Sequence, residues 1–136
     1  MATASASITV PTPADQVWNL IGGFDSLPDW LPYIPQSTLS EGGRVRHLAN
    51  PDGDAIVERL EAFDQVGRSY TYSILRAPFP VTGYRSTLCV VEHGSGSRID
   101  WSGEFTPVGV SDEAASALFE GIYRDGLRAL ETTLAG

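Results

Sequence analysis

From about residue 37 to residue 107 the chain alternates. Val, Ile, Tyr, Thr and Leu recur at every second position in segments 37–41, 44–49, 55–64, 69–76, 81–92 and 96–107. A period of two sends successive side chains to opposite faces and predicts β-strands. Gly42-Gly43, Asn50-Pro51-Asp52-Gly53, Gln65-Val66-Gly67 and Gly94-Ser95-Gly96 separate the segments. Turns this short join antiparallel neighbours, because a parallel pair needs a long crossover. Ahead of this region, Ile8-Thr9-Val10 predicts a short first strand. Thr12 is then a candidate helix N-cap, with Pro13 at the first helical position and Asp15 at capping-box spacing. Val17, Trp18, Leu20 and Ile21 supply an apolar helical face, and Gly22-Gly23 ends it. Phe24 to Leu31 predicts a second short helix, with Ser26 as its cap, Trp30 facing inward and Pro32 as its stop.

Beyond residue 110 the period changes again. Ser111 caps a long helix whose first turn carries Asp112 and Glu113, favourable to the helix dipole. Ala115, Leu118, Phe119, Ile122, Tyr123, Gly126, Leu127, Leu130 and Leu134 recur at spacings of three and four, forming one stripe. The order is thus a strand, two short helices, a meander of strands and one long helix. A single sheet must cover its apolar face, and only the last helix is long enough to do so. A sheet curved around one helix encloses a volume that side chains fill with difficulty, so a cavity is expected.

The alternation also selects the inward faces. Tyr70, Tyr72 and Ile74 share one face; so do Tyr84, Ser86, Leu88 and Val90, and so do Ile99, Trp101, Gly103 and Phe105. In 55–64 the less charged face holds Ile56, Glu58, Leu60 and Ala62, which turns Glu58 inward. A lone carboxylate in an apolar cavity shifts its pKa upward or finds a partner. Tyr84, Ser86 and His47 are the partners this reading offers. Three roles stay open for Glu58: a hydrogen-bonded part of the wall, an acid–base set with His47 and Tyr84, or a solvated surface group. Trp18 and Trp30 read as core.

Composition narrows the function classes. The chain has 136 residues, 42% of them apolar, and reads as a single domain over 1–136. Its net charge is −8, and all nine cations are Arg. The absence of Lys excludes Schiff-base and P-loop lysine chemistry. The acidic balance argues against nucleic acid and against an anionic membrane surface. One cysteine, Cys89, permits no internal disulfide, and His47 and His93 are too far apart for a helical zinc pair. No metal or other cofactor is expected. Asn50-Pro51-Asp52-Gly53-Asp54 lacks the later bidentate Glu of a calcium loop and reads as a hairpin turn. No apolar run approaches a membrane span, and the start lacks the basic and apolar regions of a secretory signal. A cytoplasmic location is the resulting expectation.

The ordered set Thr12-Pro13-Ala14-Asp15-Gln16-Val17-Trp18, Phe24, Trp30-Leu31-Pro32, Gly53, Glu58-Arg59-Leu60, Asp64, Tyr72-Ser73-Ile74, Tyr84, Trp101, Phe105 and Tyr123-Arg124-Asp125-Gly126-Leu127 resembles the START/Bet v 1-like superfamily. Within it, the likeness is to the bacterial polyketide cyclase/dehydrase and lipid-transport (SRPBCC) branch. The resemblance implies an α+β helix-grip fold: a seven-stranded curved antiparallel sheet around a long C-terminal helix, with a ligand cavity between them. The stretch from Glu58 to Ser86 is also similar to the plant abscisic-acid receptors of that superfamily. On that register the pocket residues are His47, Glu58, Tyr72, Ile74, Tyr84, Ser86, Phe119, Tyr123 and Leu127, to which the strand faces add Trp101. The gate loop falls on 49–53 and the latch near Phe79-Pro80. The lysine that holds the hormone in those receptors is absent here, as is their Ser-Gly-Leu-Pro gate motif.

Two functions follow as expectations. One is binding of a small hydrophobic molecule (a lipid, polyketide or other aromatic) between sheet and helix, with loops 49–53 and 77–81 as the entrance. The scarcity of cations favours a neutral ligand, or one whose charge stays outside. The other is a cyclase, aromatase or dehydratase that uses Glu58, His47 and Tyr84. A partner-binding role has no sequence feature that compels it. Monomer and homodimer both remain open.

Overall fold

Seven strands make one antiparallel sheet in the computed structural model, which describes residues 1–136. They are β1 (Ala2–Val10), β2 (Gln36–Ser40), β3 (Val45–Ala49), β4 (Ala55–Asp64), β5 (Ser69–Arg76), β6 (Val81–His93) and β7 (Gly96–Pro107). Across the sheet they run β1-β7-β6-β5-β4-β3-β2. Helices α1 (Ala14–Ile21) and α2 (Leu27–Trp30) follow β1, and α3 (Asp112–Ala135) closes the chain. This is the α+β helix-grip architecture, with the curved sheet gripping α3.

The first strand is longer than Ile8–Val10. It starts at Ala2 and pairs with β7 from Ala2↔Phe105 to Val10↔Ser97. Alanine and serine have little strand propensity, which hides this segment from a composition-based reading. The alternation is nonetheless complete: Ala2, Ala4 and Val10 are buried, Ala6 and Ile8 partly so, and Thr3, Ser5, Ser7 and Thr9 face water. Small inward side chains let α3 pack directly on β1.

The start of α1 lies one residue later than Thr12 predicts. Pro13 is the N-cap, and no side chain caps the helix. The Thr12 carbonyl instead accepts a hydrogen bond from Ser97 Oγ at 2.6 Å, tying the loop to β7 and keeping it extended. Asp15 does not close a capping box; it accepts from Arg68 Nε at 2.9 Å. Ser26 precedes α2, but its hydroxyl donates back to the Gly23 carbonyl rather than capping.

Irregular pairing curves the sheet. The β4–β5 register shifts between Val57 and Glu58 and again between Leu60 and Ala62. Such bulges bend a strand and increase its twist. The second shift pairs Phe63 with Tyr70, and the Phe63 ring reaches Trp18, at a centroid distance of 5.7 Å. Unbroken alternation from an inward Glu58 would place Phe63 on the outer face.

On α3 the expected stripe is present, with one exception. Ala115, Phe119, Tyr123, Gly126, Leu127 and Leu130 are buried, whereas Leu118 is 38% exposed at the stripe's margin. Gly126 permits a close approach of this helix to Trp101 and Leu31. A Cβ there would lie 2.8 Å from a Trp101 ring carbon and 2.9 Å from Leu31 Cδ1. Ser111 does cap α3, its hydroxyl accepting from the Ala114 N–H at 3.0 Å. Ser111→Ala orphans that donor and should cost about 1 kcal/mol of stability, read as a shift of the urea midpoint at unchanged slope.

Candidate functional site

The concave face of the sheet and the inner face of α3 enclose a cavity of about 50 Å³. Fourteen of its sixteen lining residues are apolar or aromatic. Ile56, Tyr72, Ile74, Tyr84 and Trp101 come from the sheet, because each sits on the inward parity of its strand. Phe119, Ile122 and Tyr123 come from α3, where spacings of three and four share a face. Leu31, Tyr33 and Ile34 close one side, and Phe79 enters from the β5–β6 loop. The expected loop 49–53 contributes no lining side chain; the segment after α2 does instead. The curved sheet does leave a void, but aromatic rings fill most of it. Phe119 alone meets Phe79, Tyr84, Phe105 and Tyr123 at ring-centroid distances from 4.8 to 6.3 Å.

The two remaining lining residues are Arg46 and Glu58. Arg46 is 1% exposed and Glu58 is 6% exposed. Arg46 Nε donates to Glu58 Oε1 at 2.8 Å, and Nη2 approaches the same oxygen at 2.8 Å. Nη1 donates to the Phe24 carbonyl at 3.1 Å and to Tyr70 Oη at 3.2 Å. The guanidinium also lies over the Phe24 and Tyr72 rings, at 4.2 and 4.7 Å from their centroids. Burial pushes the Glu58 carboxyl above its ordinary range, and the Arg46 charge opposes that rise. For Arg46 burial works against the charge, but Tyr70, Glu58 and Tyr72 together hold the guanidinium firmly protonated.

Beside the ion pair lies a network of hydroxyls. Trp101 Nε1 is 3.1 Å from both Tyr72 Oη and Ser86 Oγ. Ser86 Oγ donates to the Ser102 carbonyl at 2.7 Å and accepts from Tyr123 Oη at 3.3 Å. Tyr84 and Tyr123 share a short hydrogen bond between their hydroxyls. Gly103 makes room for this, since a Cβ there would lie 2.3 Å from Tyr123 Oη. Burial raises the Tyr72 and Tyr84 phenols well above their ordinary value. It raises Tyr123 from 10 to about 12. Folding therefore disfavours phenolate, and the stability these groups contribute is complete below the unfolded value near 10. It is lost as pH rises through the folded values. An ultraviolet titration should show Tyr72 and Tyr84 ionising only well above the ordinary phenol range, and Tyr123 at about 12, together with alkaline unfolding.

The structure brings Glu58, Tyr72, Ile74, Tyr84, Trp101, Phe119 and Tyr123 to the cavity wall. Ser86 and Leu127 are buried but do not line the space; Ser86 lies behind Trp101 in the hydroxyl network, and Leu127 packs in the core. His47 is not at the cavity. It is exposed on the outer face, where its Nε2 and Ser40 Oγ lie 2.8 Å apart. The reason is register: Arg46 pairs with Glu58 and Leu48 with Ile56, so Arg46 and Leu48 share the inward face and His47 points away. The partner of Glu58 is thus Arg46, not His47, Tyr84 or Ser86. Arg46 is the charged wall residue that sequence reasoning missed. The hairpin at 50–54 carried the signal, since opposing residues about one turn fall on one face. Asn50 and Asp54 close that turn through Asp54 N–H donating to Asn50 Oδ1 at 2.9 Å.

A helix-grip cavity of this kind invites comparison with known proteins. Residues 1–135 match the family model described as polyketide cyclase / dehydrase and lipid transport. The chain belongs to this family. Among solved structures of similar sequence, the XoxI protein of Bacillus cereus is 63% identical, with a TM-score of 0.95 over 97% of this chain and 94% of that one. A Bacillus thuringiensis protein is 58% identical, with a TM-score of 0.98 over 99% and 100% of the two chains. MLP-like protein 423 of Arabidopsis thaliana is 29% identical over 111 residues, 72% of each chain. Ara h 8.0201, at 21% identity and a TM-score of 0.76 over 98% of both chains, shares the fold. In this member of the polyketide cyclase/dehydrase and lipid-transport family, no helix is long and apolar enough to cross a membrane.

Proposed function

We propose that this chain binds a small hydrophobic molecule in the space between the sheet and α3. The observation that carries the reading is the cavity wall: aromatic and aliphatic almost throughout, with one internally neutralised ion pair. Ligand sites are typically built this way, from an apolar wall and few convergent polar groups. The 50 Å³ present is room for a few waters, not for a lipid or polyketide. A ligand therefore enters by displacing wall residues. Tyr33 and Phe79, both incompletely buried and both on connecting segments, are the ones best placed to move. The membership in a family whose description includes lipid transport supports the same reading.

An acid–base enzyme is the weaker reading for this chain. It called on Glu58, His47 and Tyr84, and these three do not converge: His47 faces outward, while Glu58 is held by Arg46 and Tyr84 by Tyr123. Native mass spectrometry of the purified protein, with the denatured sample alongside, tests the binding reading. A small molecule that accompanies only the folded protein is the expected result. A protein that carries nothing and takes up none of a panel of lipids and aromatic polyketides would overturn it.

A further inference from the structure

We infer that β1 is a dimerisation strand: a second copy of this chain pairs with it, edge to edge and antiparallel, about a two-fold axis at Ala6. The pairing is independent of what the cavity holds. β1 is hydrogen-bonded on one side only, to β7. No other backbone hydrogen bond engages Ala2–Val10. Its free side therefore carries a row of unpaired N–H and C=O groups, which is a template for another strand. Folded proteins blunt such an edge with charge, proline, a bulge or shortness. The opposite edge, β2, is blunted: it has five residues and runs straight into a left-handed turn at Glu41–Gly43. β1 has nine residues, no charge, no proline and an unbroken register with β7.

The residue pattern of β1 fits β1 itself. Ala-Thr-Ala-Ser-Ala-Ser-Ile-Thr-Val has nearly the same pattern in both directions. Turned about Ala6, it sets Thr3 opposite Thr9 of the second copy and Ser5 opposite Ser7. On the other face Ala2 meets Val10 and Ala4 meets Ile8. Hydroxyl pairs thus lie on the outer face and apolar pairs on the inner one, and both kinds are favourable across strands. Ala6 and Ile8 are only half-buried in the single chain, and they sit at the centre of the pair, where the second copy covers them. The dimer is closed, because pairing consumes both long edges and leaves only the short β2 strands. Nine residues a side is far below the roughly 20–30 of a standard interface, so the dimer is weak. Each copy carries a net charge of −8, and salt strengthens the pairing by screening that repulsion.

Sedimentation equilibrium of the full chain, from about 10 µM to about 1 mM in about 0.15 M salt, tests this. The mass should rise from 14.6 kDa toward twice that value. Over the same range, amide hydrogen exchange should slow at alternate residues of β1 and stay unchanged in β2. Two double variants fix the register. Ser5→Lys/Ser7→Lys sets like charges opposite each other across the axis and should weaken the dimer about tenfold. Ser5→Glu/Ser7→Lys sets opposite charges there and should strengthen it. Both carry the same change at Ser7, so they differ only in the sign of the charge at residue 5. Ser5 and Ser7 are exposed, so both variants should keep the parent's far-ultraviolet circular dichroism. A chain that stays at 14.6 kDa up to about 1 mM overturns the inference. So does a dimer that responds alike to the two variants, or one whose β1 amides gain no protection.

Discussion

Arg46→Met should destabilise the protein by about 3–5 kcal/mol, while the double variant Arg46→Met/Glu58→Leu should come within about 1–2 kcal/mol of the parent. The single change leaves the Glu58 carboxylate buried in an apolar wall without its partner. It also orphans the Phe24 carbonyl and Tyr70 Oη that the guanidinium serves. Removing both charges removes the desolvation cost along with the attraction. Glu58→Leu alone should be as damaging as Arg46→Met, since it strands the guanidinium. Urea denaturation of the four proteins gives the cycle directly. A double variant as unstable as either single one would mean that Arg46 matters through its packing on Phe24 and Tyr72 rather than through its charge.

Phe119→Ala should cost about 3–5 kcal/mol, the range for deleting a buried aromatic ring. Phe119 is 2% exposed and sits where four other rings meet on the α3 side of the cavity. The same substitution enlarges the cavity. Benzene should then raise the variant's Tm by more than it raises that of the parent, because an apolar void stays dry and accepts an apolar guest. Little loss of stability together with no benzene effect would show that Phe79 and Tyr84 collapse into the space.

The strands of residues 69–107 were legible because each alternates over enough residues to make its parity plain. Alternation grouped Tyr72, Tyr84 and Trp101 with the bulkier apolar set of each strand, and that set faces inward. The rule fails where alternation is written in weak residues or interrupted. In β1 the inward positions are mostly Ala, which carries little signal until the helix above it is known. In β4 a bulge past Leu60 reverses parity, and Phe63 turns toward Trp18. Short strands are the hardest case. In β3 only Val45–Ala49 are available, and both Val45 and Arg46 are buried, so the segment has no clean period. A charged residue also argues against burial when read alone. Arg46 becomes an inward residue only once Glu58 is seen opposite it, as a pair across two strands rather than a property of either.

The small volume of the cavity has a kinetic consequence. A guest larger than a few waters must wait for Tyr33, Phe79 or a neighbouring wall group to swing away. If the open form is a small fraction of the population, apparent affinity is reduced by that fraction. The observed binding rate then levels off at high guest concentration, at the rate of opening rather than of encounter. Departure is limited by the same motion. Small apolar guests of quite different affinity would then leave with similar half-lives, and residence time would report on the wall segments Leu31–Ile34 and Ala77–Pro80 more than on the guest itself.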